Sequence, residues 1–337
     1  MLYVESLNLS LHEMMADSQH VVLIGEDLMD PYGGAFKVSK GLSTNFPLQV
    51  LSTPISEHAI VGAAIGMSLR GLTPIVEIMF GDFITLCVDQ IVNHAAKYHW
   101  MYNELVSVPI VIRIPMGGGR GYGPTHSQSL ESLFMSVSGI KICAPSIFHD
   151  PGYFLKQSVL HEKHPILFIE DKVSYSKNLQ IDQDTMVANL QRKTLSLDGI
   201  NETVLISPYM DENADVLIIT YGGMTEMAAN SALKLFIEYE ILVHVISFSM
   251  IRPIPIDDAL FFASQTGRII VLEEGNTIGG WGSEVASQLQ DKTFFSLLKP
   301  IQRLGALDTP IPSASLLERE TLPSEEKLIK LVRNLMQ

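Results

Sequence analysis

Residues 53–83 read TPISEHAIVGAAIGMSLRGLTPIVEIMFGDF. An extended Thr-Pro pair leads into a run of helical period that opens on an acid, and the spacing predicts a helix over 57–70. Ala63, Ala64 and Gly66 are small enough to let that helix pack closely. Gly71 punctuates it, and TPIVEI at 73–78 reads as a strand. Its apolar residues run together without a two-residue alternation, which suits a strand buried on both faces of a parallel sheet. A second helix is expected over 82–99. Helix and strand taking turns in this way point to an α/β fold with right-handed crossovers.

The same pattern extends outward on both sides. VVLIGED at 21–27, PIVIRIP at 109–115, IKICAP at 140–145 and PILFIED at 165–171 read as strands. Helices are expected near 127–137 and 150–161. Alternation lapses between 177 and 213, a polar and irregular stretch with room for one or two short strands. It resumes with ADVLIITYGG at 214–223, a helix over 224–239, ILVHVISFSMI at 241–251, a helix from 256, RIIVLEEG at 268–275, a helix from 279, PIQRLGALD at 300–308 and a last helix from 324. The expectation is two parallel-sheet α/β domains, 1–180 and 213–337, joined by a connector over 181–212.

Composition narrows the function classes. The 337 residues carry 37 Asp and Glu against 23 Lys and Arg, a formal net charge of −14, so counterion displacement from nucleic acid is a poor fit. No apolar run approaches the ~20 residues needed to span a bilayer. The opening MLYVESLNLSLHEMM has no basic segment followed by an apolar one, and it lacks the Arg-rich character of a transit peptide. A cytoplasmic protein is expected. Its two cysteines, Cys87 and Cys143, sit in apolar segments outside any CxxC and are expected as buried thiols. A mean hydropathy of +0.22 is high for a lone soluble chain and hints at a large buried interface.

Several residues are candidates for chemistry. GGGRGYG at 117–123 is the densest glycine cluster. It fits neither G-x-G-x-x-G nor the P-loop, so it reads as a tight turn or as backbone that something approaches closely. Glu57 opens its helix. There an acid complements the helix dipole; held among Ile55, Ile60 and Val61, it would instead have a raised proton affinity, as a catalytic carboxyl needs. His126 follows the glycine loop, with Thr125 and Gln128 placed as a capping box. Phe80 and Phe83 flank Gly81 and Asp82 at a strand-to-helix junction, where one ring could face a heterocycle. The ten histidines make no convincing metal set.

Taken together, IGEDL, PYGGAFKVSKGL, the 53–83 stretch, VDQIVNHAAK, IPMGGGRGYGPTHSQSLES and VLEEGNTIGGWGSEVA resemble, in order and spacing, the β subunit of the E1 component of pyruvate, branched-chain 2-oxoacid and acetoin dehydrogenase complexes. The resemblance covers nearly the whole chain. It departs at ISFSMIRPIPID, where Ser247 and Ser249 stand in place of the family's Asp and Arg.

It implies a thiamine-diphosphate-binding, transketolase-like pyrimidine domain followed by a transketolase C-terminal domain. Glu57 would contact N1′ of the aminopyrimidine, Phe83 would stack on that ring, and Ile55 would line the cofactor. His126 would assist proton or acyl transfer near the reacting carbon. No GDG motif occurs, so the diphosphate and its Mg2+ would be held by an α subunit in an α2β2 assembly. The implied reaction is decarboxylation of a 2-oxo acid and acyl transfer to the lipoyl group of an E2 acyltransferase. The alternative is half of a split transketolase-like or acyloin-forming enzyme.

Overall fold

The computed structural model describes residues 1–181 and 189–337. Six strands of the first half are β1 (Val21–Gly25), β2 (Val50–Ser52), β3 (Thr73–Glu77), β4 (Val111–Met116), β5 (Lys141–Cys143) and β6 (Ile166–Asp171). They lie parallel in the order β5-β6-β4-β3-β1-β2. Every residue of β1, β4 and β6 is buried, which is why their apolar runs do not alternate.

The second half holds β7 (Gln191–Asp198), β8 (Asn201–Ser207), β9 (Val216–Tyr221), β10 (Val243–Phe248), β11 (Met250–Arg252), β12 (Ile269–Asn276) and β13 (Gln302–Ala306). Its sheet runs β13-β12-β9-β10-β8-β7, parallel from β13 to β10, with β8 antiparallel to both β10 and β7. Among the described residues, no helix is long and apolar enough to cross a membrane.

Four expectations change. Within 181–212, residues 182–188 lie outside the described part, and the rest is more than a connector: β7 and β8 extend the second sheet. The run 241–251 is two strands, because after Ser249 the chain leaves the second sheet and β11 pairs antiparallel with β5 of the first. The helix expected over 82–99 is a 3-10 segment Gly81–Cys87, a π segment Gln90–Ala95 and a single α turn Tyr98–Met101. Its start is bound tightly: a Cβ on Gly81 would stand 2.3 Å from the Met116 side chain. The helix expected over 127–137 shrinks to a 3-10 turn, Glu131–Phe134. Gln128 is drawn to Asp82, its side-chain amide 2.7 Å from that carboxylate, while the Thr125 hydroxyl lies 2.9 Å from Nδ1 of its neighbour His126, so no capping box forms.

Arg113 lies on β4 in the middle of the first sheet with no exposed surface. Its guanidinium donates to both oxygens of Glu170 at 2.8 and 2.7 Å and to Glu77 at 2.6 Å. Tyr175 also donates to Glu170, at 2.5 Å. The cluster links β3, β4 and β6 just before their C-terminal ends. Removing one partner from such a buried cluster leaves an uncompensated charge, at a cost of about 3–5 kcal/mol. We expect Arg113→Met to lower the unfolding free energy in urea by that order, and Arg113→Met combined with Glu77→Gln and Glu170→Gln to recover most of it.

The sheets meet along a seam rich in carboxylates. Burial pushes the Glu273 carboxyl up to about 7. Burial, and after it the charge of Asp171, pushes Glu274 up to about 8. Each stabilises the fold while protonated, so its contribution is intact at low pH and is lost as pH rises through the folded-state value. Buried His149 has the opposite sense. Burial, then Arg192, lowers it to about 3, so it stabilises above its ordinary value near 6.5 and adds no further change at higher pH. The urea midpoint is therefore expected to fall between pH 6.5 and 8.5, and Glu274→Gln to flatten that fall.

Candidate active site

Five parallel strands of the first sheet deliver their next residues to one edge, at their C-terminal ends, where α/β sheets place their sites. β1 ends at Gly25, where a Cβ would stand 2.8 Å from the Glu77 carbonyl, and passes into Glu26. β2 leads through Thr53 and Ile55 to Glu57. β3 leads to Phe80, Asp82 and Phe83. β4 opens the glycine loop that ends at His126, and β6 continues into Lys172.

Glu57 is the first residue of the helix Glu57–Ser68 and is buried, with Ile60 and Val61 buried behind it. Ile55 does not enclose it: this residue is 82% exposed on the extended approach to the helix. The carboxyl lies instead beside Glu26. That side chain is also buried, and its Oε1 finds no hydrogen-bond partner among the described residues. Burial raises the proton affinity of Glu26, the charge of Glu57 raises it further, and a hydrogen bond from the Ser56 amide opposes both. Buried Cys87 shares this field. Burial, then Glu57, pushes its thiol up to about 12, so it stays protonated, its sulfur 3.8 Å from the Phe83 carbonyl. Cys143 is likewise buried and free, its thiol pushed up by burial.

Phe83 and His126 meet edge-on, with ring centroids 5.2 Å apart. Phe80 stands 4.8 Å from His126 on another side and 5.8 Å from Tyr122. Phe83 and His126 are both half-buried, so each keeps a face open. Fully buried Lys172 lies beneath: its ammonium donates to the His126 carbonyl and sits 5.4 Å from the Phe80 ring. Burial lowers its proton affinity, while Asp82, Glu274 and Asp171 oppose the shift. Asp82 accepts from the Gln128 amide nitrogen and side chain, and its Oδ2 is buried without a partner among the described residues.

Phe83 and His126 thus meet at the sheet edge where Glu57, beside Glu26, also stands. These four make a carboxyl pair, an aromatic shelf and an imidazole, a set suited to hold a planar, protonatable heterocycle and move protons near it. Two buried acceptor oxygens without partners, on Glu26 and Asp82, fit a group that brings its own donors. Reading the sequence did not single out Glu26, Lys172 or Asp82. Only the ED of IGEDL at the end of a strand could have signalled the first. Ser247 and Ser249 are buried, and their hydroxyls bond within the second half of the chain, to Thr225, and to Ile200 and Glu202, respectively.

Comparison with known proteins agrees with this architecture. Residues 1–177 match the transketolase pyrimidine-binding domain, and residues 208–328 match the transketolase C-terminal domain. The 2-oxoisovalerate dehydrogenase subunit beta of Bacillus subtilis is 32% identical, over all of this chain and 99% of that protein. The pyruvate dehydrogenase E1 component subunit beta of Leifsonia xyli is 32% identical over 98% of this chain and 93% of that one. The B. subtilis acetoin:2,6-dichlorophenolindophenol oxidoreductase subunit beta is 31% identical over 98% and 96%. A solved split-gene transketolase, described as an inactive beta4 tetramer, shares the fold with a TM-score of 0.74 at 19% identity, over 100% of this chain and 98% of that one. With its paired sheets, its edge of convergent residues and these full-length relatives, the chain belongs to the transketolase-like family of β subunits of 2-oxoacid dehydrogenase E1 components.

Proposed function

We propose that this cytoplasmic chain supplies the pyrimidine half of a thiamine diphosphate site and that an α subunit, in an α2β2 assembly, supplies the diphosphate half with its Mg2+. The observation that carries the reading is the convergence of Glu57, Phe83 and His126 where β2, β3 and β4 end. The missing GDG motif supports a divided site. So does the open face of the Glu57 helix: Ala59, Gly62, Ala63 and Gly66 are exposed, and nothing lies within 4 Å of a Cβ built on Gly66. A partner's backbone could approach closely there.

Thiamine diphosphate, when bound, would supply the nucleophilic carbon and the electron sink that decarboxylation of a 2-oxo acid needs. The chain's residues prepare that chemistry. Glu57 holds a proton at N1′ of the pyrimidine, next to Glu26, whose own hold on a proton is strengthened by burial and by Glu57. Phe83 offers its open face to the ring, and exposed Ile55 covers the cofactor once the partner is in place. His126 moves a proton at the reacting end. The acceptor would be the lipoyl disulfide of an E2 acyltransferase: its S–S bond breaks, one sulfur takes the acyl group and the other becomes a thiol, so the disulfide is the two-electron oxidant. Ser247 and Ser249, where the sequence departs from the family, use their hydroxyls on bonds within the second half of the chain and give no support to the split transketolase-like alternative.

The isolated chain, given thiamine diphosphate, Mg2+ and a 2-oxo acid with an artificial electron acceptor, is expected to show no turnover. Copurified with its α subunit it is expected to turn over, and clear activity of the chain alone overturns the divided site. In the assembled pair, Glu57→Gln is expected to lower decarboxylation by about 10²–10⁴-fold, the range for loss of one acid–base group. A rate near that of the unaltered protein removes Glu57 from the mechanism. Transfer to a lipoyl domain rather than to an aldehyde acceptor separates the two reactions.

A further inference from the structure

The glycine loop after β4 has the backbone form of an anion cradle, with positive φ at Gly117, Gly119, Gly121 and Gly123. Its amides are already occupied by this chain. Gly118 N donates to Glu274 Oε1 at 2.5 Å, Gly119 N to Glu318 Oε1 at 2.9 Å and Gly121 N to Glu318 Oε2 at 3.0 Å. Both acids come from the second half of the chain, Glu274 on β12 and Glu318 on the short helix Ser315–Thr321. Glu318 is buried. The glycines fit this use: a Cβ on Gly117 would stand 3.0 Å from both Glu274 oxygens, and one on Gly118 would stand 2.6 Å from the Leu322 side chain. The far end of the same loop is held by the Lys172 ammonium on the His126 carbonyl.

We propose that Glu318, with Glu274, is a positioning residue: the second domain fills the amides of the glycine loop with its own carboxyl oxygens and thereby sets where His126 stands. The bond from Gly121 acts five residues before His126, whose ring is held by edge-on contacts with Phe80 and Phe83 and by the hydroxyl of its own neighbour Thr125 on the same loop. Charge-assisted bonds to backbone amides are strong and directional, so the loop's path follows Glu318 more than its own glycine-rich chain. Through His126 the inference rests on the function proposed above, but the geometry of the clamp does not.

The test uses Glu318→Ala, which removes both acceptors, and Glu318→Gln, which retains one. In the full-length chain alone, amide hydrogen exchange over residues 117–126 is expected to quicken at least about tenfold in Glu318→Ala and less in Glu318→Gln, with β4 unchanged. The His126 ring resonance, assigned by its loss in His126→Asn, should move while that of His20 stays. In the assembled pair, turnover should fall about tenfold or more, as misplacement of a reacting group does, with thiamine diphosphate affinity within about twofold because the Glu57 helix is untouched. Unchanged exchange and an unmoved His126 resonance overturn the clamp, as does equal loss of cofactor affinity and turnover. If Glu318→Ala does not fold, Glu318→Gln decides by the same readings. If the unaltered pair shows no turnover, the proposed function falls and the exchange and resonance measurements still decide the clamp.

Discussion

A guanidinium buried without solvent needs its charge answered within a few ångströms, and at the centre of the first sheet Arg113 is answered by Glu77 on one side and Glu170 on the other. Much else follows from that. The three residues sit on β4, β3 and β6, near the points where each strand turns into the site: β3 into Phe80 and Phe83, β4 into the glycine loop, β6 into Lys172. A slip of register by one residue would send these side chains to opposite faces and part the charges. The ion cluster therefore fixes the relative heights of the strand ends, and with them the spacing of the groups that meet there. Such clusters are not reliably stabilising; this one specifies register.

The second constraint is the need of enclosed amides for acceptors. A loop of five glycines in seven residues has little preference of its own. Here it gains one by donating its amides to carboxyl oxygens from the other half of the molecule, and the two sheets become one mechanical unit. β11, which belongs to the second half and pairs with β5 of the first, stitches them again. The Glu57 edge, by contrast, is left open. Buried acceptors on Glu26 and Asp82 lack partners among the described residues, apolar Ile55 is exposed, and the helix behind them shows a row of small residues. Within one chain, the glycine-loop side is tightly bonded and the Glu57 side is more open.

The amino-acid sequence by itself determined the elements whose reasons are local. Continuous apolar runs became buried parallel strands, and the helices Glu57–Ser68, Pro151–His161 and Met224–Tyr239 formed where the helical period placed them, the second with Asp150 as its side-chain cap. Glu57, Phe83 and His126 could be picked out as candidates because each stands in a short motif beside a strand end, which is where the structure places them. What failed was also physical. The Asp82 helix was deformed and the Gln128 helix cut short by one contact between residues 46 apart in the chain. The hairpin β7–β8 hid in a polar stretch whose partner, β10, lies some forty residues on.

Only the tertiary structure decided what occupies the glycine loop, since its carboxylates lie 156 to 199 residues away. It alone placed Glu26 against Glu57, set Lys172 beneath His126 and left Ile55 in the open. Charge and hydrogen bonding act across space with no memory of sequence separation, and no local pattern announces which distant acid a buried amide will find. The sequence therefore determined which groups the site contains and on which strands they ride, while the packing of two sheets decided how those groups are held.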